Sequence, residues 1–597
     1  MIAGRLHVRL REKSPAASER PQHLGDFTLS PRVLLITLLA IPVGAASAVA
    51  AFILLRLIGL ITNLVFYQRV ATGLVAPGAV HHPGWLVLVA PVFGGLIVGL
   101  MARYGSEKIR GHGMPEAIEA ILIGGSRVAP RVAVLKPVSA AISIGTGGPF
   151  GAEGPIIMTG GAVGSILAQG LKLSADERKT LLVAGAAGGM AATFNAPLAS
   201  VLLAVELLLF EWRPRSLIPV GAAVSISVIC RGFLLGTGAI FPVAHVIRPD
   251  AGAQLLSLIP GLTGGLLAVG ATGLVYLAED AFARLRFHWM WWPAIGGLII
   301  GIGGLIEPRA LGVGYDVINQ LLTGQAGLSL ILGILIVKTL IWSLSLGSGT
   351  SGGVLAPVFM IGGALGALEG TVLPQVFPGF WAMAGLAAVV GGVMRSPLTG
   401  VVFTLELTRA WSDLPALLIA SVSAYALSAL LLKRSVLTEK IARRGLHLTR
   451  EYTTDPLEAL FAHEVMTRNP VELPADLHEA TAARDGAVLR DGFGSQPLHP
   501  GRPALSGRAV VYADHTLREV ANILAHHNVT KALVVHRAAP HRLAGLITLD
   551  QLLHARRRDL HEELHRERLL PARRTVKGKR PPSGPSPELA DKHPRIP

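Results

Sequence analysis

The stretch Gly145-Thr-Gly-Gly-Pro-Phe-Gly-Ala-Glu-Gly-Pro-Ile-Ile-Met-Thr-Gly-Gly-Ala-Val-Gly164 returns 202 residues later as Gly347-Ser-Gly-Thr-Ser-Gly-Gly-Val-Leu-Ala-Pro-Val-Phe-Met-Ile-Gly-Gly-Ala-Leu-Gly366. Nine of the twenty positions are identical, and Lys136 and Lys338 precede the two copies at the same offset. A second pair follows at an offset of 200: Asn195-Ala-Pro-Leu-Ala-Ser-Val-Leu-Leu-Ala-Val-Glu-Leu207 and Arg395-Ser-Pro-Leu-Thr-Gly-Val-Val-Phe-Thr-Leu-Glu-Leu407. The shared Pro, Met, Lys and Glu argue against chance matching of Gly-rich apolar sequence. The chain carries two related halves, and the sequence leaves their relative orientation open.

Around these copies the sequence reads as membrane protein. Of 597 residues, 51% are apolar and 15% charged, and 69 are glycine, against about 25% charged in an ordinary soluble chain. The mean hydropathy is +0.53. A spanning helix needs about 20 apolar residues. Uncharged runs occupy 33–55, 84–102, 180–205, 251–278, 287–306, 317–337, 339–368, 370–394 and 414–432. The first is too long and too late for a cleaved signal peptide. The +16 formal charge sits mostly at the two ends, which predicts cytoplasmic termini rather than a nucleic-acid partner. The single cysteine, Cys230, excludes an internal disulfide framework and a cysteine-cluster metal site.

Three segments place glycines, then proline, ahead of an apolar helix: Gly111-His-Gly-Met-Pro115, Gly151-Ala-Glu-Gly-Pro155 and Gly352-Gly-Val-Leu-Ala-Pro357. Proline suits the first helical turn, and glycine lets the backbone expose its N–H groups. Unpaired N–H groups and the macrodipole make such an end attractive to an anion. Three converging ends would hold a dehydrated anion without the full charge that traps it, as conduction requires. Helix breaks in lipid survive only under cover of protein or a water-filled cavity, and in repeat-built transporters the site lies at the repeat interface. Glu153 falls inside the second break, where its carboxylate can occupy the anion's place. We expect it to gate, released by the anion or by protonation. Glu206 and Glu406 end matching helices, and we expect structural carboxylates there. Glu116 and Glu119 follow Pro115 and complement the first turn of their helix.

In this order and combination, Gly111-His-Gly-Met-Pro-Glu116, Gly151-Ala-Glu-Gly-Pro155, Phe194-Asn-Ala-Pro-Leu198 and Gly352-Gly-Val-Leu-Ala-Pro357 resemble the CLC family of chloride channels and chloride/proton exchangers over about residues 31–446. The resemblance implies an all-α polytopic fold, an inverted repeat of about eighteen helices, and a homodimer in the plasma membrane with one pore per subunit. It makes Glu153 the gating glutamate. It places the anion among Gly111, His112, Gly113, Met114, Gly151, Ala152, Gly154, Val354, Leu355 and Leu437. The departures are His112 for a serine, Ala152 for a basic residue, Val354-Leu355 for Ile-Phe, and Leu437 for a tyrosine. His112 either contacts the anion and makes transport pH-dependent or is a neutral histidine satisfied by the backbone. Leu207 stands where exchangers of the family usually carry an inner, proton-relaying glutamate. That favours a channel, with a chloride/proton antiporter on the same fold as the alternative.

The remainder divides into a basic N-terminus (1–30), a cystathionine-β-synthase (CBS)-like α/β region (457–555) and a charged helix with a disordered basic tail (556–597) that can touch anionic lipid. Val465-Met-Thr-Arg-Asn-Pro-Val471 opens like a first, degenerate CBS unit, whose Gly486–Ser506 stretch is Gly- and Pro-rich. Residues 510–553 read as a second unit, with strands Val510–Tyr512, Leu533–His536 and Leu546–Thr548 and helices Leu517–His526 and Asp550–Leu553. The resemblance to CBS pairs implies adenine-nucleotide binding, and the degenerate half argues instead for a scaffold that stabilises a dimer. No cofactor is expected. His561-Glu-Glu-Leu-His565 matches a zinc-protease pattern, but it lies in a charged helix that reads as a solvated face. An enzyme is not expected, and a purely regulatory membrane sensor is the remaining alternative.

Overall fold

The computed structural model describes residues 31–122, 125–243, 247–443, 457, 460–468, 509–537 and 539–566. The chain divides into two compact units, Asp26–Tyr452 and a second formed by Met1–Gly25 with Thr453–Pro597.

The larger unit is helical. Its first half comprises α1 (Arg32–Tyr67), α2 (Gly84–Tyr104), α3 (Met114–Leu122), α4 (Pro130–Gly145), α5 (Glu153–Gln169), α6 (Ala175–Phe194), α7 (Pro197–Leu203) and α8 (Pro214–Leu234). After the short α9 (Ala251–Leu256) come α10 (Leu258–Ala283), α11 (Trp292–Ile306) and α12 (Tyr315–Leu322). Then follow α13 (Leu328–Gly333), α14 (Thr339–Gly347), α15 (Leu355–Glu369), α16 (Phe380–Met394), α17 (Pro397–Thr408), α18 (Leu414–Leu431) and α19 (Glu439–Arg443). A π-turn (Ile334–Lys338) joins α13 and α14 into one rod. Seven helices among the described residues are long and apolar enough to cross a membrane.

The halves pack alike. Helix α5 lies on α6 as α15 lies on α16, α6 on α8 as α16 on α18, α1 on α8 as α10 on α18, and α1 on α6 as α10 on α16. Glycine permits the closest of these approaches. A Cβ at Gly160 of α5 would strike the Gly185 carbonyl of α6, and one at Gly362 of α15 would lie 2.6 Å from the Gly385 carbonyl of α16. Small residues that let backbones meet are what binds helices in lipid, where apolar burial offers little.

Several uncharged runs are two helices rather than one span. The run 180–205 breaks at Asn195, which is left-handed (φ 53°), because Pro197 must begin a new helix. Arg395 (φ 55°) ahead of Pro397 repeats the device. The runs 251–278, 317–337 and 339–368 are interrupted at Ser257, at Thr323–Gly327 and at 348–354. Helix α8 escapes an uncharged-run reading because Arg215 and Arg231 bound a run too short to span.

The smaller unit holds one mixed sheet in the order β1-β4-β3-β2, from β1 (Thr467–Arg468), β2 (Ala509–Tyr512), β3 (Lys531–His536) and β4 (Ala539–Thr548). Strands β2 and β3 are parallel across helix Leu517–His527, and β4 runs antiparallel to both β3 and β1. Thr516 and Glu519 form a capping box at that helix. The described residues of the expected first CBS unit join the strands of the second. Ala462–Arg468, which opens the first unit, lies in the sheet and core of the second, with Ala462 packed among Val511, Leu517 and Val520. A small α/β region is present, consistent with the expected CBS-like fold. The rest of the first unit, the basic N-terminus and the tail beyond Arg566 lie outside the described residues.

Candidate functional site

The three glycine breaks meet inside the larger unit. Gly151 and Gly353 exchange backbone hydrogen bonds, Gly151 N–H donating to the Gly353 carbonyl at 3.2 Å and Gly353 N–H to the Gly151 carbonyl at 2.7 Å. The first break joins them through Gly154, whose added Cβ would collide with the His112 carbonyl and lie 3.4 Å from Gly353 Cα. Gly113, left-handed at φ 86°, leaves no room for a Cβ, which would sit 2.9 Å from the Gly154 carbonyl. Gly111 N–H donates to the Gly349 carbonyl at 3.2 Å. The N-termini of α3, α5 and α15 are thereby drawn to one place.

Reciprocal bonding between equivalent positions is the mark of a two-fold relation, and the glutamates repeat it. Glu406 accepts from Leu198 N–H at 3.0 Å and Ala199 N–H at 2.9 Å at the start of α7. Glu206 accepts from Leu398 N–H at 3.3 Å and from Thr399 N–H at 2.9 Å at the start of α17. Each half caps a helix of the other. A carboxylate on unpaired N–H groups at a helix start is the favourable pairing.

Glu153 is fully buried, and one carboxylate oxygen, Oε1, accepts from the Ala356 N–H at 3.0 Å. A side chain of one half therefore occupies the N-terminus of the other half's α15. Its Oε2 has no hydrogen-bond partner, and the backbone N–H groups of Glu153 and Leu355 lie close to the carboxylate as well. The carboxylate leans against Gly151 and Gly353, where a Cβ would collide with it. Ala152, Gly154, Val354 and Leu355 are buried around this junction.

His112 is 5% exposed, and its Nδ1 has no hydrogen-bond partner. It lines a cavity of about 470 Å³ with Gly111, Glu116, Glu279, Val436 and Lys440. Met114 is buried at the start of α3. Leu437 is buried in the turn ahead of α19, which packs on α3, and its neighbour Val436 reaches the cavity. Leu207 is buried and apolar, in the π-turn that extends α7.

Sequence reasoning missed a fourth break. Gly312 and Gly314 are left-handed, as are Gly111 and Gly113, and α12 starts after them as α3 does. The repeated lysines explain the match. Lys136, fully buried, donates to the Ile109 carbonyl at 2.8 Å, the Gly111 carbonyl at 2.7 Å and Ser351 Oγ at 3.2 Å. Lys338, equally buried, donates to the Gly312 carbonyl at 2.8 Å. Each lysine fixes the loop that aims its half's short helix. The shared offset of the lysines was the available signal. Tyr315 was also missed. It opens α12, its hydroxyl has no hydrogen-bond partner, and its ring meets Phe241 at 5.7 Å. Among the described residues no group of three His, Cys, Asp or Glu is placed to hold a metal. The side chains of His561 and His565 lie outside the described residues.

Comparison with known proteins bears on the same region. Residues 94–429 match the family model described as voltage gated chloride channel. The chain is 31% identical over 425 residues to the voltage-gated ClC-type chloride channel ClcB of Citrobacter koseri, covering 69% of this chain and 99% of the relative. It is 34% identical over 360 residues to the H(+)/Cl(-) exchange transporter ClcA of the same organism, covering 55% and 74%. A slow cyanobacterial Cl-/H+ antiporter structure shares the fold, with a TM-score of 0.59 and 22% identity over 70% of this chain and 99% of that one. A eukaryotic CLC transporter structure also shares it, with a TM-score of 0.58 and 18% identity over 87% and 98%. With its repeats, its broken helices and these relatives, the chain belongs to the voltage-gated chloride channel (CLC) family.

Proposed function

We propose that this protein is a chloride channel in which the Glu153 carboxylate and the permeating anion compete for one place. The observation that carries the reading is the Ala356 N–H bonded to Glu153 Oε1. A helix N-terminus suited to a mobile anion holds a tethered one instead. Anion binding falls to Gly111, His112, Gly113 and Met114, to Gly151, Ala152 and Gly154, and to Val354 and Leu355, chiefly through backbone N–H groups, with Leu437 closing the side. The partial charges of helix ends attract chloride without trapping it. Displacement of Glu153 by an anion or by a proton opens the path, which makes opening sensitive to voltage and pH.

Leu207 supports a channel over an exchanger, because a buried leucine relays no proton. The likeness to ClcA favours the second reading, a chloride/proton antiporter on the same fold. Purified protein in liposomes separates them. With a chloride gradient imposed and the voltage clamped, chloride efflux without proton movement is expected. Protons driven against their own gradient would establish the antiporter and a route that avoids Leu207. We further infer a homodimer in the plasma membrane with both termini cytoplasmic. The distribution of basic residues at the two ends supports the orientation.

A further inference from the structure

An anion that takes the seat of Glu153 leaves a carboxylate inside the protein without the Ala356 N–H that held it. The fourth break lies against that seat. A Cβ on Gly314 would collide with Met360 Sδ, and Met360 stands one turn beyond Ala356 on α15. The break is also tied to the loop that leads into α5, because Gly312 N–H donates to the Gly147 carbonyl at 3.1 Å. The bond from Gly111 N–H to the Gly349 carbonyl is its equivalent in the other half. Tyr315 follows the fourth break directly, close enough for the Glu153 charge to act on its phenol.

The Tyr315 hydroxyl is buried with no hydrogen-bond partner, and so is Glu153 Oε2. A buried polar group left unpaired is costly, so the closed arrangement carries a donor that it does not use. The ring is held edge-on against Phe194, with centroids 6.4 Å apart at 71°, and against Phe241, at 5.7 Å and 72°. Those contacts fix the oxygen and leave only the O–H bond to turn. The charged neighbours serve other ends. Lys338 is fully buried and donates to the Gly312 carbonyl at 2.8 Å, and Asp316 is exposed.

We propose that Tyr315 is the positioning residue of the open gate: its O–H donates to the Glu153 carboxylate once an anion has taken the Ala356 N–H. The inference rests on the gating reading of Glu153 above. A carboxylate released with no new donor is driven back to its seat by the cost of burial. The phenol removes that cost and is itself satisfied by the same bond. Because the closed state leaves the hydroxyl unpaired, the bond stabilises the open state alone, and its loss shifts the populations in one direction.

Tyr315→Phe keeps the ring against Phe194 and Phe241 and removes only the donor. A hydrogen bond of ordinary net strength corresponds to about fivefold in an equilibrium. The variant should therefore shorten the mean open time about fivefold and leave the mean closed time unchanged. The test records single channels of the full-length protein in planar bilayers at fixed voltage and symmetrical chloride. The unaltered chain, Tyr315→Phe, Glu153→Ala and the double variant are compared. In Glu153→Ala channels the tyrosine substitution should alter neither open time nor conductance, since no carboxylate is left to receive the O–H. A purely structural tyrosine would not show this dependence on Glu153. A Tyr315→Phe effect of equal size with and without Glu153 overturns the proposal and assigns the hydroxyl to the anion or to packing. Unchanged open times in the single variant overturn it too. Failure of the gating reading is distinct: Glu153→Ala channels that keep their voltage dependence, or a wild-type chain without chloride current, refute that reading whatever Tyr315→Phe does.

Discussion

Replacing Glu153 by alanine should raise chloride flux about thirtyfold and remove its voltage dependence, a figure that follows from how the carboxylate is held. Its Oε1 accepts one N–H, from Ala356 at 3.0 Å, and its Oε2 has no hydrogen-bond partner. A hydrogen bond to a charged group contributes about 1.5–3 kcal/mol, and about 2 kcal/mol seats the carboxylate about thirtyfold more often than not. Such a pore is open about 3% of the time, and alanine leaves it open throughout. Glutamine keeps the shape and one neutral hydrogen bond of about 1 kcal/mol, so the seated form is favoured about fivefold and flux rises about fivefold over wild type. The two variants are thus ordered as well as signed. Chloride efflux from liposomes under a clamped potential gives the rates, and planar-bilayer recording gives the voltage dependence. A thermal midpoint in detergent checks that both variants are folded, since Glu153 also caps α15. E153A protein that is folded, conducts at the wild-type rate and keeps its voltage dependence would refute the competition between carboxylate and anion.

Gly353→Ala acts on the same carboxylate without touching its charge, because the new Cβ would collide with Glu153 Oε2 and lie 2.7 Å from the Gly151 carbonyl. Its flux should rise toward that of E153Q, and an unchanged current-voltage curve would count against the packing argument. Glu406→Gln weakens the cap on α7, where the carboxylate accepts two N–H groups. It should lower stability by about 1 kcal/mol, read as a reduced thermal midpoint with chloride selectivity unaltered. His112→Ser removes the imidazole from the cavity. Burial and the neighbouring Lys440 charge hold the His112 imidazole pKa down to about 3, so a rise in wild-type flux from its protonation is expected only as pH falls toward that value, well below the usual histidine range. The variant should lose that rise, and a pH profile identical to wild type would leave His112 with a packing role only.

Which features were readable in the sequence depended on the range over which each is encoded. The glycine-proline breaks are local, because a helix start dictates its own residues, so Gly111–Pro115, Gly151–Pro155 and Gly352–Pro357 stood out directly. The fourth break, at Gly312–Tyr315, obeys the same geometry but carries Asp316 where the first carries Pro115. Without the proline it did not read as a helix start. Lys136 and Lys338 were visible as a repeated offset, yet their purpose lies in carbonyls 25 to 27 residues back in the chain, at Ile109, Gly111 and Gly312. Glu206 and Glu406 matched in sequence, but the exchange between them spans about 200 residues and exists only once the halves face each other. The same separation hides the partner of Glu153. The sequence placed a carboxylate inside the break that opens α5, where the anion would sit, whereas the bond that holds it comes from Ala356 of α15 across the repeat. This difference bears directly on function. A glutamate capping its own helix is held by local chain geometry, while one reaching across the repeat interface can be released by any rearrangement that parts Gly151 from Gly353. Under the proposed gating role of Glu153, control belongs to the junction between the two halves, and its strength is set by how tightly the Gly151–Gly353 bridge holds them together.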